Sequence, residues 1–215
     1  MRIVIILVFI IFISYSCSSD RSQNTNAIAS SDVDTFPIDF IKQNSIERRM
    51  HYNMDSVHLN KLVLIDSVFF KKCFANRKLD NSDFTIVFDP FSRYYFFDFK
   101  EFETKILFSI IHNDEVGYDN LYHFVFDNKN RKIIQSDFIS SNGGDGGQSN
   151  LDILDFNQSG DLLKLTSVFI EDIDFDKGYT RHYDSTVSNI EFGLDNTKII
   201  KVDSVTRVDT IWSRK

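Results

Sequence analysis

The sequence predicts a mainly β, or α+β, protein in which a short N-terminal helical segment packs on an antiparallel meander sheet. A two-residue alternation of apolar and polar side chains runs from about residue 84 to the C-terminus, as in half-buried strands. Turns rich in Asn, Asp and Gly separate the alternating runs. No crossover helix is indicated between them, which disfavours a parallel sheet.

The composition is that of one globular domain. The chain has 215 residues, of which 42% are hydrophobic and 22 are Phe, enough for a substantial core. Its formal net charge is −7, and its basic groups, such as Arg48-Arg49, are small and isolated. We therefore expect no nucleic-acid partner.

The first 16 residues have the features of a secretory signal peptide. Met1-Arg2 is a minimal cationic start, and the run from Ile3 to Ile13 is entirely apolar. As a helix rising about 1.5 Å per residue, this run is much shorter than the roughly 30 Å hydrocarbon core of a bilayer. A cleaved signal is therefore favoured over a permanent transmembrane helix.

A small residue directly before a Cys ends this segment. Ser16-Cys17 resembles the lipobox of bacterial lipoproteins, and the whole layout resembles small uncharacterised lipoproteins of Bacteroidota. The resemblance implies cleavage before Cys17, lipid attachment to its thiol, and anchoring at the cell envelope, with the outer membrane as the expected site. It leaves the periplasmic or surface face open. The alternative is an incidental Cys17 with ordinary signal cleavage nearby.

After the signal, the sequence predicts a flexible tether over residues 17–35 and one β-rich domain over 36–215. The tether is rich in Ser, Asn and Asp, and the composition changes at Phe36-Pro37. With Cys17 modified, Cys73 has no disulfide partner. Its apolar surroundings favour a buried small side chain over a nucleophile.

Two helices are predicted at the start of the domain. Apolar residues at helical spacing indicate one helix over residues 45–57. Asp66 is placed to cap a second over residues 67–75. Periodicity alone leaves helix or strand open for residues 62–75.

Five strands follow from the alternating pattern. The last has apolar residues on one face only, so we expect that face to be buried. The others are apolar or aromatic on both faces, which indicates a second covering layer such as the helical segment. The predicted strands lie within residues 84–88, 94–99, 106–110, 122–126 and 200–212.

Hairpin turns are predicted over residues 126–133, 155–162 and 194–199. The second turn, with Asp155, Asn157, Ser159 and Asp161, resembles the front of an EF-hand calcium loop. The twelfth position holds Thr166 where that loop needs Glu. A plain hairpin turn is therefore the favoured interpretation.

Asp172, Asp174 and Asp176 form a second candidate calcium site. Their alternation along a strand places three carboxylates on one face, where they repel one another unless solvated or bridged by a cation. A solvated strand end is favoured over calcium. Calcium is the only cofactor that the sequence suggests.

The densest glycine cluster is a candidate ligand loop. It comprises Gly143, Gly144, Asp145 and Gly146, followed by Gly147. It lacks the Lys-Ser/Thr ending of a phosphate loop. A mobile loop between strands is the favoured interpretation, and close approach to a ligand or partner is the alternative.

No catalytic motif is evident. The five His form no zinc-binding pair, and no G-x-S-x-G sequence occurs. His112 and His123 lie near predicted strand ends, where exposed or hydrogen-bonded rings are expected.

The sequence therefore favours a membrane-anchored, non-catalytic binding or accessory module of the cell envelope, with an envelope protein or glycan as partner. An envelope hydrolase whose site is formed only by the fold is one alternative. A structural envelope protein acting through oligomerisation is the other.

Overall fold

The computed structural model describes residues 36–175, 178–193 and 196–212. The predicted signal peptide and tether, with Cys17, lie outside these residues.

Short elements form the N-terminal part of the described chain. Helix α1 spans Ile38–Asn44, and strands β1 (Ile46–Glu47), β2 (His51–Asn53) and β3 (Val63–Leu64) follow with two 3₁₀ turns between β2 and β3. Helix α2 spans Ser67–Cys73. It begins where predicted, because the Asp66 carboxylate accepts hydrogen bonds from the backbone N–H groups of the first turn.

Long antiparallel strands make up the rest of the described chain. Their order in the sheet follows the sequence from β4 to β11, which confirms the predicted meander. At the other end, β1 pairs with β4 in parallel. The strands are β4 (Arg93–Glu101), β5 (Lys105–Asn113), β6 (Tyr118–Asp127), β7 (Lys132–Asp145), β8 (Gln148–Phe156), β9 (Leu162–Phe175), β10 (Gly178–Phe192) and β11 (Thr197–Trp212).

The sheet folds back on itself at the β7–β8 hairpin. Strand β7 pairs with β6 along most of its length but with β8 only over residues 143–145. Farther along, β8 pairs with β2 instead. The inner face of β4–β7 consequently packs on β8–β10, through residues that include Phe97, Leu107, Val125, Leu154 and Phe192.

The outer face of β4–β7 is covered by the helices, as predicted. Phe69, Phe70 and Phe74, from α2 and the residue after it, pack against Phe108 and Phe124 of the sheet. Burying both faces of these strands explains why their side chains are apolar at even and odd positions alike. Cys73 is buried in this layer, and burial raises its thiol pKa to about 11, which confirms the predicted structural role.

Strands β9–β11 extend beyond the packed layers. We use the name distal ladder for residues 166–175, 178–187 and 203–212, which are paired in register. None of the ladder's described residues is buried. At about 3.3 Å per residue, the ladder is about 30 Å long.

The sequence predictions of secondary structure or burial are wrong for residues 45–57, 84–88 and 200–212. Residues 45–57 form β1, β2 and a 3₁₀ turn instead of a helix, because β1 and β2 pair with β4 and β8. Residues 84–88 contain an isolated bridge at Thr85 and no strand. Strand β11 is exposed on both faces, since it lies at the sheet edge beyond the core.

No helix in the described residues is long and apolar enough to cross a membrane.

Candidate functional site

The turn between β8 and β9 satisfies its own polar groups. The Asn157 side-chain oxygen accepts hydrogen bonds from the backbone N–H groups of Gly160, Asp161 and Leu162, at 2.8 to 3.1 Å. Its amide donates to Ser159 and Asp161. These interactions are those of an Asx-stabilised hairpin turn.

Asp155, the remaining member of this candidate calcium set, faces a different residue. Its carboxylate lies 2.6 Å from Nδ1 of His51, which is opposite it on β2. The structure therefore brings Asn157, Ser159 and Asp161 together but pairs Asp155 with a neighbouring strand.

The second acidic set is also divided. Asp172 receives two hydrogen bonds of 2.7 Å from the Arg181 guanidinium on β10, and the bond from Arg181 holds the Asp172 pKa below its usual range. Asp174 lies on the same face of β9, opposite Tyr179. Asp176 lies outside the described residues.

The glycine cluster forms the fold-back hairpin. Gly146 and Gly147 are its two turn residues, with φ of 58° and 91°, values that favour glycine. A Cβ at Gly143 would lie 2.3 Å from the Gly117 carbonyl oxygen. The glycines thus permit close approach to the chain's own backbone. The segment predicted as a mobile loop is the end of a strand and a turn.

Across the described part of the chain, no three His, Cys, Asp or Glu side chains lie close enough together to hold a metal ion.

A buried ion pair lies between the two sheet layers. A β-bulge in β4 places two residues, Phe97 and Asp98, opposite the single Ser109 of β5. The Asp98 carboxylate accepts hydrogen bonds of 2.9 and 3.0 Å from the Arg48 guanidinium, which also contacts the Ser109 hydroxyl. Both charged side chains are 1% exposed.

The surroundings of Arg48 hold the pair in place. The guanidinium also donates to the Gly160 carbonyl in the β8–β9 turn and lies 4.5 Å from the centre of the Phe156 ring. This turn, predicted as a hairpin turn with a resemblance to a calcium loop, thus supports a buried arginine through its backbone.

His123 lies beside this pair and is fully buried in the middle of β6. Its ring stacks on Phe192 with centroids 3.8 Å apart. Burial lowers its pKa well below the usual value, and the charges of Arg48 and Lys105 lower it further. The expectation of an exposed or hydrogen-bonded ring near a strand end is therefore wrong for His123, while His112 stacks on Tyr94.

Two buried carboxyl groups complete the polar interior. Burial raises the pKa of Asp137 to about 6, although its carboxylate accepts hydrogen bonds from Gln135 and Thr197. Burial also raises the pKa of Asp152. Shifted pKa values are typical of catalytic groups, but both of these residues are at most 2% exposed, so a substrate could not reach them in this conformation.

Four exposed apolar side chains of the distal ladder cluster toward its far end. We define the apolar tip as Ile173, Phe175, Val208 and Trp212, which lie on the ladder face that continues the core-facing side. Gly178 lies between Phe175 and Trp212 and has no side chain. The two rings therefore meet across it, with centroids 5.4 Å apart.

The opposite face of the ladder combines aromatic and charged side chains. Arg181 lies over Tyr179 and Arg207 over Tyr183. Arg207 also forms an ion pair with Asp209. None of these side chains is buried.

The sequence analysis predicted neither the buried Arg48–Asp98 ion pair nor the exposed distal ladder. Arg48 and Asp98 are 50 positions apart, and nothing in either local pattern indicates the pairing. The ladder had a weak signal, because β11 carries a charge at nearly every second position and the last strand of a meander lies at a sheet edge.

The sequence matches no protein-family model, and the comparisons found no matching curated protein and no matching solved structure.

Proposed function

We propose that this protein is a membrane-anchored exported lipoprotein that acts as a non-catalytic binding or accessory module of the cell envelope. The distal ladder is its binding surface. The observation that carries the proposal is the contrast between an aromatic domain buried on both faces and a ladder about 30 Å long whose described residues are all at least partly exposed.

The apolar tip supports a protein partner. Ile173 is 48% exposed and Trp212 is 65% exposed. Clustered exposed aliphatic and aromatic side chains mark interaction sites on soluble domains. Aromatic and Arg side chains, both present on the ladder, are enriched at such interfaces.

The location of the titratable groups supports a non-catalytic role. His123, Asp137 and Asp152 have shifted pKa values but lie between packed layers. Two shallow surface depressions lie instead around residues 77–83 and 133–136. Neither is lined by His123, Asp137 or Asp152.

The N-terminal sequence supports the envelope location. Ser16-Cys17 resembles a lipobox, and several acyl chains on one residue hold a protein firmly to a bilayer. The tether that the sequence predicts over residues 17–35 would let the domain reach partners near the membrane.

The anchor is tested by Cys17→Ser, with Cys73→Ala as the matched control. We expect the wild type and Cys73→Ala to fractionate with membranes, and mass spectrometry to find acyl groups on Cys17. Cys17→Ser should be released or left with its signal uncleaved. Membrane association that is unchanged in Cys17→Ser would refute the anchor.

The binding surface is tested by a photo-cross-linking residue at Ile173 in the full chain in cells. Val116, 52% exposed in the β5–β6 turn, is the matched control. We expect a discrete protein adduct from position 173 and none from position 116. Adducts that are equal at both positions, or an adduct containing glycan in place of protein, would contradict a protein-binding ladder.

A further inference from the structure

Strand β11 has a free outer edge. It pairs with β10 along one side, and no described residue pairs with its other side. It is 16 residues long. A long free edge exposes a row of backbone N–H and C=O groups that another strand can pair with.

The charges of β11 are self-complementary about Val205. When a second copy of the strand is laid antiparallel with its Val205 opposite the first, each Asp203 lies opposite Arg207 of the other copy. Asp203 and Arg207 lie on the same face of the sheet, opposite Val187 and Tyr183 of β10. The two-fold axis therefore repeats this pair of opposite charges.

The uncharged residues match in the same register. Ser204 lies opposite Thr206 of the second copy, and the β-bulge of β11 falls at Val202, outside this central segment. Val205 faces itself on the axis, and it is 58% exposed in the single chain. An apolar side chain thus lies opposite an apolar one, and a hydroxyl side chain lies opposite a hydroxyl one, which are favourable cross-strand pairs.

One neighbouring register is unfavourable. Moving one copy by two residues places Asp203 opposite Asp209, which lies on the same face of the sheet. Like charges directly opposite each other destabilise a strand pair, so the charges favour the register centred on Val205 over this one.

The required side chains are accessible in the single chain. Asp203 is exposed and has no ion-pair partner within the described part of the chain. Arg207 contacts Asp209 on its own strand, in an exposed pair. Exposed pairs of this kind contribute little to stability, so Arg207 can exchange its partner at low cost.

We propose that two copies of this chain associate by antiparallel pairing of β11 with β11, in the register that places Val205 opposite Val205. The two distal ladders then form one continuous sheet, with their apolar tips at opposite ends. This association concerns the edge of the ladder and does not depend on the binding function proposed above.

Disulfide trapping tests the register in the full chain in detergent solution. Val205→Cys places two thiols together on the axis. Thr210→Cys, also exposed, places them about 33 Å apart. Under mild oxidation we expect disulfide-linked dimers of Val205→Cys and none of Thr210→Cys or wild type. Equal trapping at both positions, or none at position 205, would overturn the proposal.

Charge exchange between two variants tests the pairing without a covalent bond. Asp203→Lys alone and Arg207→Glu alone each place like charges opposite each other, and we expect at least a tenfold weaker dimer of each by sedimentation equilibrium. A mixture of the two restores both opposite-sign pairs and should dimerise as wild type does. A monomeric wild type, or a mixture as weak as either variant alone, would exclude this interface.

Discussion

The strands that form the aromatic layers and those that form the distal ladder have the same antiparallel geometry but opposite exposure. Six of the nine residues of β5 are buried in succession, whereas most residues of β11 are exposed. Strand β5 lies between α2 and the second layer of the sheet, but β11 lies beyond both.

Burial is concentrated in one part of a continuous sheet, and the proposed binding surface lies in the other part. The packed part buries large aromatic side chains, which contribute most of the burial free energy. The ladder buries little apolar surface and is stabilised mainly by cross-strand pairs. Matched substitutions in the two regions should therefore differ sharply in their effect on the free energy of unfolding.

Phe124→Ala should have the largest effect on stability. Phe124 is fully buried and packs against Phe74 and Phe108. Removing a buried aromatic ring leaves a cavity, so we expect a loss of about 4 kcal/mol in the free energy of unfolding. Urea denaturation measures it. A loss below about 1 kcal/mol would mean that the aromatic layers do not supply the stability.

Arg48→Met should cost about 3 kcal/mol in the free energy of unfolding, because the buried Asp98 carboxyl group would lose its partner. The ladder offers a matched case in Arg181→Met, which removes the partly exposed pair with Asp172 and should cost much less. The double variant Arg48→Met/Asp98→Leu should regain much of the loss. Equal costs for the two ion pairs in urea denaturation would contradict the comparison.

Asp137→Asn should raise stability at neutral pH by about 2 kcal/mol. The Asp137 pKa is raised to about 6 in the folded protein, so the folded state binds the proton more tightly than the unfolded state. The free energy of unfolding of the wild type therefore falls as pH rises from about 4 to 6.

The matched ladder substitution should have the opposite sign. The pKa of Asp172 is lowered by Arg181, so Asp172→Asn should reduce stability at neutral pH and lose that effect only below about pH 4, the unfolded value. Urea denaturation at pH 2, 4 and 7 compares the two substitutions. A pH-independent gain for Asp137→Asn would mean that its carboxyl group does not titrate in this range.

Trp212→Ala should have the smallest effect on stability, below about 0.5 kcal/mol, because the side chain is 65% exposed. The same substitution should reduce cross-linking from position 173 if the apolar tip binds a partner. A stability loss as large as that of Phe124→Ala would show that the ladder is packed like the rest of the sheet.

Much of the fold was predictable because it follows from local patterns. The antiparallel meander follows from short turns between consecutive alternating runs, and helix α2 follows from the N-cap at Asp66. The need for a covering layer follows from strands that are apolar on both faces.

The candidate site was much less predictable. The oxygen-rich turn around Asn157 has the residues of a calcium loop but uses them to hydrogen-bond its own backbone. The glycine cluster has the conformational freedom of a ligand loop, but it lies against the chain's own backbone at Gly117. In both cases the sequence shows which residue types are present, but the fold decides which atoms they contact.

By itself, the sequence determined the mainly β class, the antiparallel meander and the position of helix α2. It also determined the opposite charges at Asp203 and Arg207 of β11. Each of these features depends on residues near one another in the chain. Only the tertiary structure decided the fold-back at Gly146, the pairing of Arg48 with Asp98 and the exposure of β11. These depend on which surfaces meet, and an alternating strand has the same pattern whether or not another layer covers it.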